Sequence, residues 1–384
     1  MLEPSVLHEG KGAARAIAIL IAGICIVLGI AIYIILNGLG EPFKITRGSS
    51  TGGNTVISFE EETGDDIVYL KNGVTYRRAW ISDDNSEIFP SDDTDFVIKV
   101  NLALNIVTVY HIGGDWGEVA VRNFYCSSAR PGNETPEGTY SVSEWLDWCL
   151  LEDGSFGQYA YRIEGTEEYG YMFHSVPYIT MEKGNLEWAE FDKLGSPASL
   201  GCIRCAVEDV RWLCRYVGSG SKIIIYSDPD DPGPLGYPEK YFIPEDVPQV
   251  NGWDPTDPDP ENPWRDYDIT LDVPSSEIKL GIFDKGMDIT NFASASDSFG
   301  NDLSRYITYT VNGEKYGFGY DTIYPEDVSA ARRTNGISQS DLIKYNNTTF
   351  VPETPGEYEV RISMNIGLIT AVKTVSLTVT DPEQ

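Results

Sequence analysis

A mainly β protein set behind one apolar N-terminal helix is the fold this sequence predicts, and three observations carry it. Residues 16–36, AIAILIAGICIVLGIAIYIIL, form a run of 21 residues without a charge. At 1.5 Å rise per residue such a run crosses about 30 Å, the hydrocarbon thickness of a bilayer. From Phe96 onward, short β-branched and aromatic runs alternate with period two, the mark of strands with one buried face. Only VEDVRWLCRYV (207–217) is a good helix candidate, with a stripe through Val210, Leu213, Cys214 and Val217.

Composition narrows the function classes. Acidic residues number 59 against 28 basic, a net charge of −31 over 384 residues. Nucleic-acid binding wants a basic surface to neutralise phosphates and is excluded on that ground. A hydrophobic content of 41% supports real cores, so whole-chain disorder is excluded as well. The histidines are His8, His111 and His174, too few for a His-rich metal site. No metal and no organic cofactor is expected.

The elements follow in order. Residues 1–15 are read as a cytoplasmic tail and 16–36 as a single-pass anchor in the cell membrane. The apolar run is longer than a signal-peptide core, and no clear small-residue cleavage site follows it. Because nearly all of the chain follows the span, the bulk is expected outside. Residues 37–92 are a tether, RGSSTGGN being flexible, followed by an acidic stretch with the runs DIVYL and VTYRRAWI. That stretch reads either as a few short strands or as a stalk. Residues 93–238 are read as β-rich with one helix. FVIKVNLALNIVTVYHI is a hairpin or two successive strands, GEVAVRNFYCSSA a strand, ARPGNETPEGTYSV a turn-rich loop, and YAYRI and YGYMFHS alternate. In the helix, Glu208 and Asp209 come first and Arg211 and Arg215 later, as its dipole favours. KIIIY (222–226) then reads as a buried strand.

Residues 227–264 hold ten prolines in 38 positions. The 239–264 portion reads as a stiff, charged linker without a core. Residues 265–384 contain DITLDV, EIKLGIFD, YITYTV, EYEVRISM and AVKTVSLTVT with Gly and Pro turns between. They read as an Ig-like β-sandwich, and ETPGEYEVRIS…TVSLTVTD resembles the bacterial Ig-like modules of surface proteins. The partner of such a module is not legible.

The chemistry concentrates in PASLGCIRCAVEDVRWLC, where Cys202, Cys205 and Cys214 fall within 13 positions. A cysteine just upstream of a helix can be held as thiolate by the free N–H groups there, and a thiolate nucleophile needs a base within reach. His8 lies across the span, which leaves His111 or His174.

Residues 94–238 resemble the L,D-transpeptidase catalytic domain of YkuD type. The pieces that carry the resemblance run in order: VNLALNIVTVY, SSARPGNETPEGTYSV, YMFHSVPY, LGSPASLGCIRC, a helix, and GSKIIIYSDPDDPGPLGYP. The resemblance implies a peptidoglycan cross-linking cysteine enzyme. Cys202 is then the nucleophile on the stem tetrapeptide, releasing D-alanine, and an amine from a neighbouring stem peptide resolves the thioester. His174 is the base, Ser175 orients it through its carbonyl, and the N–H groups of Gly201 and Cys202 form the oxyanion hole. Ser199, Arg204 and Tyr171 become candidate substrate contacts, although Arg204 could equally brace the loop, and Tyr169, Tyr171 and Phe173 read equally as core. Two departures stand out. Leu200 occupies the position of the family's usual second histidine, and the 28 positions from His174 to Cys202 exceed the usual spacing. The surplus, about 181–193, reads as a loop insertion that could form part of a lid.

Other readings stay beside this one. An L,D-carboxypeptidase or endopeptidase would use the same site with water as acceptor. A non-catalytic wall-binding protein would use the Ig-like tail. Cys205 reads as a core thiol, or as the partner of Cys202 in a reversible, inactivating disulfide. Whether Cys126 and Cys149 pair is open. His111 reads as a surface or satisfied histidine.

Overall fold

The computed structural model describes residues 66–380 except 90, 114–116, 167–169, 276, 282–285 and 321–342. The expected tail 1–15, the span 16–36, the flexible tether and Tyr169 lie outside the described residues. Among the described residues no helix is long and apolar enough to cross a membrane. The described residues all belong to one unit, Gly64–Gln384.

β-Strands dominate, as the alternating runs predict. The first sheet comprises β3 (Phe96–Asn101), β4 (Ile106–Gly113), β5 (Gly117–Tyr125), β6 (Gly138–Leu150), β7 (Phe156–Glu164), β8 (Met172–Ser175), β9 (Ile203–Cys205) and β10 (Lys222–Tyr226), numbered after the N-terminal hairpin β1 (Ile67–Lys71) and β2 (Val74–Arg78). Its order is β5-β4-β3-β10-β6-β7-β8-β9. The isoleucine-rich β10 is central, parallel to β3 and antiparallel to β6, and Ile223 and Ile225 are buried. Beyond β5 the chain bends back to the far edge. Ser127 and Arg204 exchange backbone hydrogen bonds of 2.9 and 3.0 Å, so the sheet curls until its two ends meet.

The expected helix forms over Val207–Tyr216 and packs on β7 and β8. Its apolar stripe is buried: Val207, Val210, Leu213 and Cys214.

The second sheet joins distant parts of the chain. It contains β1 and β2 together with β12 (Glu277–Gly281), β15 (Thr308–Val311), β16 (Glu314–Tyr320), β17 (Ile343–Asn347), β19 (Gly356–Ile366) and β20 (Ile369–Thr380). β2 pairs antiparallel with β20, Thr75 opposite Val372. Residues 67–78, read from sequence as strands or stalk, are therefore strands of the C-terminal sheet. Asn72-Gly73 and Asn312-Gly313 all have positive φ (54°, 74°, 52° and 85°). These are the two-residue turns whose twist matches paired strands, and they close β1–β2 and β15–β16. Small ribbons β11 (Ile269–Asp272) with β14 (Ser294–Asp297), and β13 (Met287–Asp288) with β18 (Thr349–Phe350), complete the region. Tyr76 Oη accepts a 2.9 Å bond from Leu271 N, tying one ribbon to the hairpin.

The segment 239–264 departs from the expected solvated spacer. Ile243, Val247, Val250, Asp254, Asp257 and Trp264 are all buried. Proline denies this segment a ladder, so side chains satisfy its backbone instead. Asn262 Nδ2 donates to the carbonyls of Asp254 and Asp257, each at 2.9 Å. Trp264 Nε1 donates to Trp253 O at 3.0 Å. The acidic residues turn inward. Asp254 Oδ2 accepts the N–H of Val207, the first residue of the helix, at 2.9 Å. Lys183 Nζ lies 2.9 Å from both Asp257 and Asp259. Composition signals solvation, but these carboxylates have dedicated partners.

Candidate active site

Two short strands place the chemistry. β8 and β9 are parallel neighbours with Phe173 opposite Ile203 and His174 opposite Arg204. Extending that register one residue back sets Met172 beside Cys202. Side chains alternate faces along a strand, so Met172, His174, Cys202 and Arg204 share one face. Thiol and imidazole are diagonal neighbours there, and both line a cavity of about 570 Å³. Its walls also include Cys149, Leu151, Asp153, Arg162, Tyr171, Leu200 and Gly201.

His174 is held on several sides. It is buried, and its Nδ1 lies 2.6 Å from the Ser175 carbonyl. A carbonyl only accepts, so Nδ1 carries the proton and Nε2 is left to take one. The Ser175 hydroxyl faces elsewhere, accepting Gln158 N at 2.8 Å and donating to Val176 O. Gly157 on β7 packs against the ring: a Cβ there would fall 2.9 Å from His174 Cβ and Nδ1. Burial, assisted by the Arg204 charge, pushes the imidazole down to about 4.

Cys202 is half-buried. Burial pushes its thiol up, against the pull of the Met172 backbone and of Arg204. The thiol donates to Gly170 O at 3.6 Å. Burial thus favours the neutral form of both groups, thiol and imidazole.

The loop 199–202 corrects one expectation. Gly201 N donates to Ser199 Oγ at 3.0 Å, so this N–H, assigned from sequence to an oxyanion hole, is already engaged. Cys202, whose own N–H is the other donor of that expectation, lines the cavity. Ser199 is buried and also donates to Cys202 O at 2.5 Å. It braces the loop from within and also lines the cavity. Gly201 itself needs its missing side chain. Its φ is +147°, and a Cβ would meet Tyr171 Cε1 at 2.8 Å and Glu134 O at 3.3 Å. Tyr171 thus packs on the loop as well as lining the cavity. Ser199→Ala should cost about 1–3 kcal/mol, since it strands a buried N–H and weakens a second contact; thermal denaturation checks it.

Arg204 braces. Its Nη1 lies 2.6 Å from Glu190 Oε2, and the other Glu190 oxygen meets Lys193. Both acidic and basic partners come from the 181–193 insertion, which the sequence reading treated as part of a lid. The insertion is instead packed. Phe191 and Leu186 are buried, the short helix Trp188–Phe191 forms, and Lys193 O accepts Ser127 Oγ at 2.9 Å. Asp192 Oδ1 accepts Ile243 N at 2.8 Å.

Cys126, Cys149, Cys202, Cys205 and Cys214 are all free thiols. Cys149 lines the cavity, its thiol pushed up to about 11 by burial. Cys205, Cys126 and Cys214 lie in the core. His111 does not line the cavity; it stacks edge-on against Phe96 at 4.9 Å. Sequence reasoning missed Glu190, Asp153 and Cys149. Only spatial proximity reveals them, because nothing in their local sequence marks them. Among the described residues no group of three or more His, Cys, Asp or Glu could hold a metal ion.

Several proteins of known sequence or structure are similar to this chain. The putative L,D-transpeptidase YciB of Bacillus subtilis (strain 168) is 33% identical over 92 residues, 24% of this chain and 46% of that protein. An L,D-transpeptidase from Mycobacterium smegmatis is 19% identical, covering 34% of this chain and 58% of that one, with a TM-score of 0.27. One from Mycobacterium tuberculosis H37Rv is 26% identical, covering 34% and 57%, with a TM-score of 0.26. The chain thus spans about half the length of the curated relative it matches. The family model YkuD, the L,D-transpeptidase catalytic domain, matches residues 95–225. Those residues, which hold both Cys202 and His174, are an L,D-transpeptidase-type catalytic domain.

Proposed function

We propose that this protein is a membrane-anchored L,D-transpeptidase that cross-links peptidoglycan stem peptides through an acyl-enzyme on Cys202. The observation that carries the proposal is the shared face of β8 and β9, where Cys202 and His174 line one cavity with the imidazole tautomer set by Ser175 O. In this reading a stem tetrapeptide enters the cavity. His174 Nε2 takes the Cys202 proton as sulfur attacks the penultimate carbonyl. The oxyanion is met by the Cys202 N–H. The imidazolium then gives its proton to the departing D-alanine amine, and a thioester remains. An amine from a second stem peptide attacks the thioester, losing its proton to His174, and the thiol is regenerated. Every proton in the cycle passes through one imidazole, so no cofactor is required.

The anchor reading rests on the apolar run 16–36. The Ig-like reading of 265–384 rests on its antiparallel strands, and its role would be to hold the enzyme against a surface partner.

Incubating the full-length protein in detergent with a tetrapeptide muropeptide tests the reading by mass spectrometry. A cross-linked dimer with loss of D-alanine is expected, and Cys202→Ala should abolish it. Tripeptide monomer alone would instead make the protein a hydrolase. Unchanged substrate would leave a wall-binding protein. A carbapenem should also add its mass to Cys202.

A further inference from the structure

The 181–193 insertion supplies a buried charge cluster around Arg204, whose members take no part in the proton transfers described above. Glu190 is its hub, joining Arg204 Nη1 at 2.6 Å and the Lys193 ammonium. Side-chain exposure is 16% for Glu190, 8% for Arg204 and 1% for Lys193, so solvent screens these charges little. The Nε of Arg204 is buried with no hydrogen-bond partner among the described residues, which leaves Glu190 as the guanidinium's ionic anchor.

Arg204 is coupled to the reacting pair. It stands opposite His174 across β8 and β9, and its charge disfavours imidazolium while favouring the Cys202 thiolate. A proton passing from Cys202 to His174 moves in the field of this cation. The other charged groups near the pair are Asp153 and Glu152, from the β6–β7 connection, and Arg162 of β7, which lines the same cavity. Those near Arg204 are Glu187, Glu190 and Lys193 of the insertion and Asp153. The cluster therefore counterbalances a cation that would otherwise act on the pair at full strength.

We propose that Glu190 is a positioning residue: it pins the Arg204 guanidinium and offsets its charge, so that the insertion sets the electrostatic field at Cys202 and His174. The consequence for rate rests on the acyl-transfer reading above, whereas the field itself does not. The experiment is mass-resolved alkylation of Cys202 by iodoacetamide across pH, on the full-length protein in detergent. Glu190→Gln leaves Arg204 less neutralised, so the alkylation midpoint should fall by about half a pH unit or more. Lys193→Met removes a competing cation from Glu190, and the midpoint should rise. A merely loosened insertion would change the alkylation rate at all pH values alike and leave the midpoint in place. Unmoved midpoints in the folded variants overturn the proposal. Should Glu190→Gln fail to fold, Lys193→Met decides alone, and no upward shift overturns it. Failure of the unmodified protein to release D-alanine would sink the transferase reading without touching this midpoint.

Discussion

Replacing His174 with Gln is expected to slow thioester formation at Cys202 by roughly 10²–10⁴-fold, the usual worth of a positioned proton acceptor. The burst of released D-alanine, followed by rapid quench, measures it. The loss should be large because His174 is the base that shares a strand face with Cys202, while the cavity carboxylate Asp153 is already committed to Ser155 N and Oγ. The pH dependence should carry a distinct signature. With the imidazole pushed down to about 4, mainly by burial, His174 stays an unprotonated base well below the usual histidine range. The acid limb of acylation should therefore fall near pH 4 and not near 6.5. The same shift has a stability consequence. Between pH 6.5 and 4 the unfolded chain binds a proton that folded His174 refuses. The folded state thus loses about 3 kcal/mol as pH falls through that window. His174→Gln should remove this slope, which urea titrations at pH 7 and pH 5 will show. A variant that keeps near-normal acylation would transfer the base role away from His174.

Asp254→Ala is expected to be the most destabilising single change in the 239–264 segment, by roughly 3 kcal/mol. Truncation strands three donors in the interior: Val207 N, Thr256 N and Thr256 Oγ1, now 2.9, 2.8 and 2.6 Å from the carboxylate. The Val207 bond also caps the helix that follows the nucleophile loop, so Cys202 alkylation should lose its uniformity along with stability. Burial raises the Asp254 carboxyl to about 7, although these donors and the helix N-terminus pull the other way. The sign follows from an acid raised in the folded state. Its contribution is fully present below the ordinary carboxylate range and is lost as pH rises through about 7. Asp254→Ala should therefore lower the melting temperature more at pH 5 than at pH 8. A free spacer would show no change at either pH, and that result would restore the linker reading.

The cysteine and the histidine were legible because each is marked locally. S-L-G-C-I-R precedes a dipole-ordered helix, and Y-M-F-H alternates as a strand must. The helix 207–216 and the strands from Phe96 to Tyr226 were legible for the same reason, since period and capping are contained in a window of ten or so residues. The burial of Asp254 was not. A Pro- and Asp-rich run looks solvated until one knows that Val207 and Lys183 stand against it. The engaged Gly201 N–H was hidden by a two-residue fold-back onto Ser199 that no motif announces.

Taken by itself, the sequence determined the β-rich class, the one helix, and the thiol and imidazole that line the cavity. Tertiary structure alone decided that residues 67–78 pair with β20, that the 181–193 insertion braces Arg204, and that Ser199 supports the loop. The physical reason is range. Side-chain alternation and helix charge order are fixed by neighbours in the chain. Which strand completes a distant sheet, and which carboxylate neutralises a buried guanidinium, depends on competition for burial among groups that meet only when the chain has folded.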